Sequence, residues 1–249
     1  MSVDRSISLS GFATTSQVAG VARSILACPA DASLVVDGVD DVLGGMDDDL
    51  GMRDLGGQPT FSCLPDTPLA RAARARRSAL LTLESALGHE GSPERAATLT
   101  LSGRLATRGR ADCECCGEVR DTVVMELNFV LLGAAHDGAD DQAGQQRRVP
   151  LEHFRSPEHH LNRGFLQRSV EHANACHQEE LRRAVSATTG TRLTEVVGVT
   201  LTDLLPDQVE VQWVDLQGSH SHVLAFPRRA RDAEELGELL RRTLHAGLC

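Results

Sequence analysis

The chain has 249 residues, enough for one large domain or two small domains with cores of their own. Its formal net charge of -10 argues against the basic surface that nucleic-acid binding requires. It has neither a run of ~18 apolar residues, as a membrane span needs, nor a charged-then-apolar leader, so a cytoplasmic protein without a membrane partner is predicted. All 25 basic residues are Arg, which is typical of a GC-rich genome such as an actinobacterial one.

The first two thirds of the chain predict a helix followed by several short strands. An apolar stripe at helical spacing runs from Val18 to Leu26, between possible caps at residues 14–16 and Pro29. A second helix is predicted at Leu69–Arg77. The strand candidates are short apolar or alternating runs: Ser33–Asp37, Thr60–Leu64, Ala79–Glu84, Thr98–Leu105 and Val124–Leu131. This order favours a closed or nearly closed barrel.

A break in composition follows these strands. The segment from Asp137 to Arg148 is polar, contains Gly and has no periodicity, and Pro150 ends it. We therefore place a barrel domain at residues 1–137, a linker at 138–150 and a second domain at 151–249.

The last third of the chain predicts a small α+β unit. Apolar positions from Leu166 to Ala184, spaced by three or four residues, predict one helix with His177 in its inward stripe. Three strands are predicted next: Thr194–Thr202, Val209–Trp213 and His220–Phe226. Asp232, with Glu235 three residues later, predicts the cap of a last helix.

One block of this unit resembles a known family. Residues 171–177 contain the pattern His-x-Asn-x-x-His, and an Ala-Phe-Pro segment and an Asp-x-x-Glu-Leu helix start follow it. This order resembles the α+β domain that accompanies split-barrel haem-utilisation proteins of the HugZ type, whose motif usually reads His-Met-Asn-Ala-Asp-His. Four positions match that motif and two depart from it: His172, Asn174, Ala175 and His177 match, whereas Ala173 and Cys176 depart.

The resemblance implies an α+β fold, with an N-terminal split β-barrel related to the FMN-binding barrels of pyridoxamine phosphate oxidases and flavin reductases. Residues 95–103 match an Arg-x-x-x-Leu-x-Leu-x-Gly strand of that barrel. The usual Gly-x-Leu-Ala-Thr opening is missing, and residues 37–54 form an acidic, Gly-rich loop instead. The resemblance also implies a homodimer through the barrel, with haem in the groove between the barrels.

The implied haem site has several candidate residues. Arg95 would bond a propionate or a distal oxygen, and His159, His160 or His172 would supply the axial imidazole. With His153 and His177, these form half of the ten histidines within 25 residues, and their spacing does not choose the ligand.

Three functions fit the sequence. The first is haem binding, either without turnover or as a haem-degrading oxygenase. The second is a non-catalytic barrel that binds a protein partner or a metabolite. Two features favour it: the usual opening motif of the barrel is missing, and the chain has only six Phe, one Trp and no Tyr for stacking on a cofactor ring. The third is a flavin-dependent oxidoreductase, whose FMN phosphate would need the basic helix that carries Arg71 and Arg74; a solvated helix face is the competing interpretation.

The sequence predicts no metal site. His172 and His177 would lie about 140° apart on one continuous helix, so they could not bind one ion there. Cys113, Cys115 and Cys116 fall in a predicted hairpin loop and lack the second cysteine pair of a structural zinc site. The acidic run Asp47–Asp49 lacks the alternating spacing of a calcium loop, which favours a solvated loop. The odd number of seven cysteines fits reduced thiols.

Overall fold

A computed structural model describes residues 14–44, 51–112, 118–133 and 146–245. The chain divides into two compact units, Met1–Gly164 and Phe165–Cys249. Residues 151–164, which the sequence analysis places at the start of the second domain, lie in the first unit. The Asp47–Asp49 run and the three clustered cysteines at 113, 115 and 116 are outside the described residues.

The first unit contains a curled antiparallel sheet, a half-barrel, packed against helices. Its helices are α1 (Thr15–Ala27), α2 (Pro68–Arg74) and α3 (Leu151–Phe154). Its strands are β1 (Pro29–Val36), β2 (Met52–Asp54), β3 (Pro59–Cys63), β4 (Ser78–Ser85), β5 (Thr98–Asp112), β6 (Val119–Gly133) and β7 (Gln146–Arg148). Six strands follow the order β1-β4-β5-β6-β3-β2, and β7 pairs with β6. The two helices and five strands that the sequence predicts here are confirmed.

Alternating side chains give this sheet an apolar inner face. Leu81 and Leu83 of β4 are fully buried, whereas Leu80, which precedes them, is 44% exposed on the outer face. The inner face packs against the apolar sides of α1 and α2 in one core. At the start of α1 the hydroxyl of Thr14 accepts from the Gln17 amide, and the Gln17 side chain accepts from the Thr14 amide. This reciprocal cap satisfies backbone donors that the helix cannot satisfy itself.

A bulge interrupts the long β5 and β6 pair. Ser102 pairs with Phe129 and Gly103 pairs with Leu127, which leaves Asn128 as the extra residue of β6. A Cβ at Gly103 would lie 2.4 Å from the Glu126 carbonyl oxygen, so the close approach at this bulge requires glycine.

The second unit packs helices on a three-stranded antiparallel sheet. Helices α4 (Arg163–Cys176) and α5 (Gln178–Thr189) precede β8 (Gly198–Leu205), β9 (Gln208–Asp215) and β10 (Gly218–Ala225), and α6 (Ala233–His245) follows. The strand order is β10-β9-β8. The carboxylate of Asp232 accepts from the Glu235 amide at 2.9 Å, which confirms the predicted cap of the last helix.

The predicted single helix across His177 is wrong. The helix ends at Cys176, and His177 takes a non-helical conformation (φ -121°, ψ 28°) before α5 begins. Its side chain is 50% exposed and does not lie in an inward stripe. The break coincides with contacts to α4 and β8: Gln178 Nε2 donates to the carbonyl oxygens of Asn174 in α4 and Val199 in β8. Apolar spacing alone does not reveal such side-chain contacts.

In the described part of the chain, no helix combines the length and apolar character needed to cross a membrane.

Candidate functional site

A buried ion pair fixes the half-barrel to the segment that carries the candidate histidines. Arg23 of α1 lies on the buried side of its helix with a side chain 2% exposed, and its Nη2 is 2.7 Å from Asp54 Oδ2. Its Nη1 donates to the carbonyl oxygen of Phe154 at 3.0 Å, and its guanidinium lies 5.7 Å from the Phe154 ring centroid. The other Asp54 oxygen accepts from the Gly57 amide at 2.7 Å. Each charged group therefore has hydrogen-bond partners, as a buried pair needs.

Arg23 is not among the predicted site residues, although the sequence contains a signal for it. Arg23 follows Ala19 by four residues and precedes Leu26 by three, so it occupies a core position of the helical stripe. A charged residue at such a position is almost never fully buried unless it is paired.

His159 and His160 occupy adjacent but different environments. His159 is 8% exposed, its ring packs against α1 at Gly20, and its Nε2 is buried with no hydrogen-bond partner among the described residues. Burial lowers the pKa of this imidazole, and the Glu158 carboxylate opposes that only in part. His160 is exposed and forms no side-chain hydrogen bond with a described residue. His159 is therefore a buried packing residue, and His160 is accessible to a ligand.

Two polar contacts hold the segment that presents His160. The Ser16 hydroxyl of α1 donates to Glu158 at 2.5 Å, and the Asn162 amide donates to the His159 carbonyl oxygen at 2.9 Å. Arg163, just beyond, forms an ion pair with Glu94. Glu94 belongs to the short 3-10 helix Pro93–Ala96, which also carries the exposed Arg95. The structure thus joins the element that carries Arg95 to the segment that carries His159 and His160.

Both arginines of the basic helix α2 are bonded to residues of the first unit. Arg71 Nη1 donates to the Asp66 carbonyl oxygen at 2.6 Å, and Arg74 Nη2 donates to the Asp66 carboxylate at 2.8 Å. Arg74 Nη1 is also 3.5 Å from Asp121, a buried carboxylate that Arg110 binds at 2.7 Å. The hydrogen bond from Arg110 holds the pKa of Asp121 below its ordinary value. These pairings favour a structural role for Arg71 and Arg74 over phosphate binding.

In the second unit, the histidine motif has a structural centre. Asn174 Nδ2 donates to the Leu201 carbonyl oxygen at 2.9 Å, and Asn174 Oδ1 accepts from the Leu201 amide at 2.8 Å. The side chain therefore substitutes for a strand neighbour and ties α4 to β8.

The two histidines of the motif lie close together. The rings of His172 and His177 are 5.2 Å apart between centroids and nearly perpendicular, at 77°. The break at His177 allows this contact, which a continuous helix would exclude. No group of three or more His, Cys, Asp or Glu within the described ranges could hold a metal ion.

A separate feature lies on the outer face of the half-barrel. A cavity of 280 Å³ opens beside the bulge of β6, between Asn128 and Phe129 on one side and the segment from Arg148 to Glu152 on the other. The guanidinium of Arg148 lies 5.5 Å from the Phe129 ring centroid. Sequence reasoning misses this cavity because it depends on the bulge and on the β6–β7 pairing, which no spacing predicts.

An aromatic cluster in the second unit also escapes the sequence analysis. Trp213 of β9 and His220 of β10 stack with their centroids 5.0 Å apart, and His220 Nε2 is 2.9 Å from Asp215. The bond from His220 keeps the pKa of Asp215 low. Because Asp215 also accepts from the Gln217 amide at 2.8 Å, this cluster stabilises the β9–β10 turn.

Comparisons with known proteins give structural similarity alone. No protein-family model matches the chain. No curated protein matches it significantly. Among solved structures, the haem-binding protein from Mycobacterium smegmatis aligns at a TM-score of 0.41 and 13% identity, over 96% of this chain and 99% of that one. A protein of unknown function from Agrobacterium tumefaciens strain C58 aligns at a TM-score of 0.35 and 18% identity, over 94% and 97% of the two chains.

Proposed function

We propose that this chain binds haem on the first unit, with His160 as the axial ligand and Arg95 as a partner for a propionate. The Glu94–Arg163 ion pair carries the proposal. It joins the short helix that carries the exposed guanidinium of Arg95 to the segment that carries the exposed imidazole of His160. A neutral imidazole is a common ligand of haem iron, and a guanidinium binds carboxylates with matched geometry. The resemblance of the histidine motif to that of HugZ-type haem-utilisation proteins is the reason for proposing haem as the ligand.

The His160 and Arg95 side chains fit this ligand. Neither the His160 ring nor the Arg95 guanidinium is bonded to another described side chain, so both donors are available. His159 fits less well as a ligand, since its Nε2 is enclosed by protein atoms and lies 3.4 Å from Glu158 Oε1. When bound, haem would supply redox-active iron, and this chain's residues would hold and orient it.

The apolar surface that a porphyrin needs is proposed to come from a homodimer formed through the half-barrel. Val35 of β1 and Leu80 of β4 are directly paired on the outer face and are 62% and 44% exposed. Leu80 pairs with Ser102 and Ser102 with Phe129, so an outer-face row crosses four strands. Light scattering on Val35→Asp and Leu80→Asp chains tests the dimer, with Val223→Asp in the second unit as the control. We expect Val35→Asp and Leu80→Asp to dissociate the dimer and Val223→Asp to leave it intact. A monomeric parent protein would contradict the proposed dimer.

An absorbance titration of the full chain with haemin tests the ligand. We expect a saturable Soret shift at one haem per chain, lost in His160→Gly and restored by added imidazole. His89→Ala, which removes another exposed histidine of the same unit, is the matched control. Arg95→Gln should weaken binding while the Soret position stays unchanged, because Arg95 does not contact the iron.

Two outcomes would reject the assignment. One is the absence of a saturable shift in the parent chain; the other is a shift that His160→Gly and His89→Ala affect equally. A parallel titration with flavin mononucleotide tests the flavin alternative. If haem binds, loss of the Soret band on adding a reductant in air, with formation of an open tetrapyrrole, would extend the proposal to a haem-degrading oxygenase.

A further inference from the structure

The outer-face cavity has a lining of mixed charge over an apolar wall. Its apolar lining residues are Phe129, Leu151 and Val149, of which Val149 is only 1% exposed, and its volume is 280 Å³. Cavities for drug-sized ligands occupy about 300–1,000 Å³, so this one suits a smaller molecule and is too small for a porphyrin. Phe129 also ends the outer-face row proposed for the dimer, so the cavity adjoins that surface.

Arg148 provides the positive side of the cavity. Its backbone pairs with Leu131 in the sheet, and its guanidinium carbon lies over the Phe129 ring, 5.5 Å from the centroid. A guanidinium over an aromatic ring can still donate its N–H groups to an acceptor. Arg148 forms no ion pair with a residue in the described part of the chain, so that donor edge is free to bind an anion such as a carboxylate.

Glu152 provides the negative side. Its side chain is exposed and has no ion pair or hydrogen bond with any residue that the structure describes. Arg148 and Glu152 are four residues apart but do not pair with each other. The chain between them is extended at Pro150 (φ -61°, ψ 135°) rather than helical, which holds the two charges apart.

The two unpaired charges restrict the chemistry of the occupant. A simple anion would pair with Arg148 but would be repelled by Glu152. A simple cation would pair with Glu152 but would be repelled by Arg148. A molecule with both a carboxylate and an ammonium group satisfies both sides. The apolar wall then suits an apolar substituent.

We propose that this cavity binds a free α-amino acid with an apolar side chain. Arg148 binds the carboxylate, Glu152 binds the ammonium group, and the Phe129 and Leu151 side chains contact the substituent. A peptide terminus fits less well, because it presents only one of the two charges.

Calorimetric titration of the full chain tests this proposal with three probes: L-leucine, 4-methylpentanoate, which lacks the amine, and 3-methylbutylamine, which lacks the carboxylate. L-leucine should bind saturably at one per chain and more tightly than either analogue. Arg148→Gln should weaken the binding of L-leucine and of 4-methylpentanoate by about tenfold or more, as expected for a charge-assisted hydrogen bond. Glu152→Gln should weaken the binding of L-leucine by a similar factor. The affinity for 4-methylpentanoate should stay unchanged or increase.

Arg147→Gln is the matched control, since Arg147 is the preceding strand residue and does not line the cavity. It should leave all three affinities unchanged. The proposal is overturned if no probe binds, if Arg147→Gln and Arg148→Gln act alike, or if 4-methylpentanoate binds the parent chain as tightly as L-leucine. Circular dichroism of each variant checks that these exposed substitutions leave the fold intact.

Discussion

Arg23 and Asp54 form an ion pair, with Nη2 and Oδ2 2.7 Å apart and both side chains less than 10% exposed. Replacing one partner leaves the other buried and charged. We expect Arg23→Met to lower the free energy of unfolding by about 3–5 kcal/mol, measured by urea denaturation. The double change Arg23→Met with Asp54→Leu should recover part of that loss, because it removes the unpaired carboxylate. A loss below about 1 kcal/mol in the single variant, the range of an exposed pair, would show that the pair is not buried in solution.

The Asn174 amide bonds both backbone groups of Leu201. Asn174→Ala should destabilise the chain by about 1–3 kcal/mol, because it leaves backbone groups without partners. Asn174→Asp should also destabilise it, since the carboxylate cannot donate to the Leu201 carbonyl oxygen. The exposed neighbour Glu171 serves as the control, and Glu171→Ala should change stability by no more than about 0.5 kcal/mol. Thermal unfolding followed by circular dichroism measures all three, and equal effects of Asn174→Ala and Glu171→Ala would contradict the anchoring role.

Two helical glycines are expected to respond to alanine in opposite directions. A Cβ at Gly164 would lie 1.9 Å from the Ser24 carbonyl oxygen, so the backbones must separate; Gly164→Ala should cost about 1–3 kcal/mol or more. Nothing lies within 4 Å of a Cβ at Gly237 in α6, and Gly237→Ala should stabilise by about 0.5–1 kcal/mol. Calorimetric melting temperatures should therefore fall for the first variant and rise for the second. A neutral Gly164→Ala would mean that α1 and the start of α4 are not in close contact.

His159 should make stability depend on pH. Burial lowers the pKa of its imidazole in the folded chain, so the unfolded chain binds this proton more readily. The free energy of unfolding should fall as the pH drops below about 6.5, the ordinary histidine value, until the lower folded pKa is reached. His159→Gln should flatten this part of the profile, whereas His89→Ala, which changes an exposed histidine, should not. Urea midpoints measured between pH 5 and 8 test the difference, and identical slopes for parent and His159→Gln would contradict it.

Local patterns predicted most of the secondary structure. The two-residue alternation of β4, β5 and β6 and the cap at Asp232 depend on neighbours in sequence, so they could be recognised without a fold. The break at His177 depends on Gln178 and Asn174 meeting β8, more than twenty residues away, and periodicity contains no such information. The candidate haem residues were found from residue type alone, whereas their neighbourhood depends on the long-range Glu94–Arg163 pair. The Arg148–Glu152 cavity depends on a strand bulge and could not be predicted.

The position of Trp213 gives the second unit its own optical reporter. The chain has one Trp and no Tyr, and Trp213 lies in β9 with its indole nitrogen buried. Intrinsic fluorescence excited near the indole band therefore originates in the second unit, and the half-barrel, with only Phe, is dark. Circular dichroism detects the backbone of both units. Denaturation curves from the two signals coincide if the units unfold as one and separate if they unfold independently, so cooperativity between the units can be measured without labelling the protein.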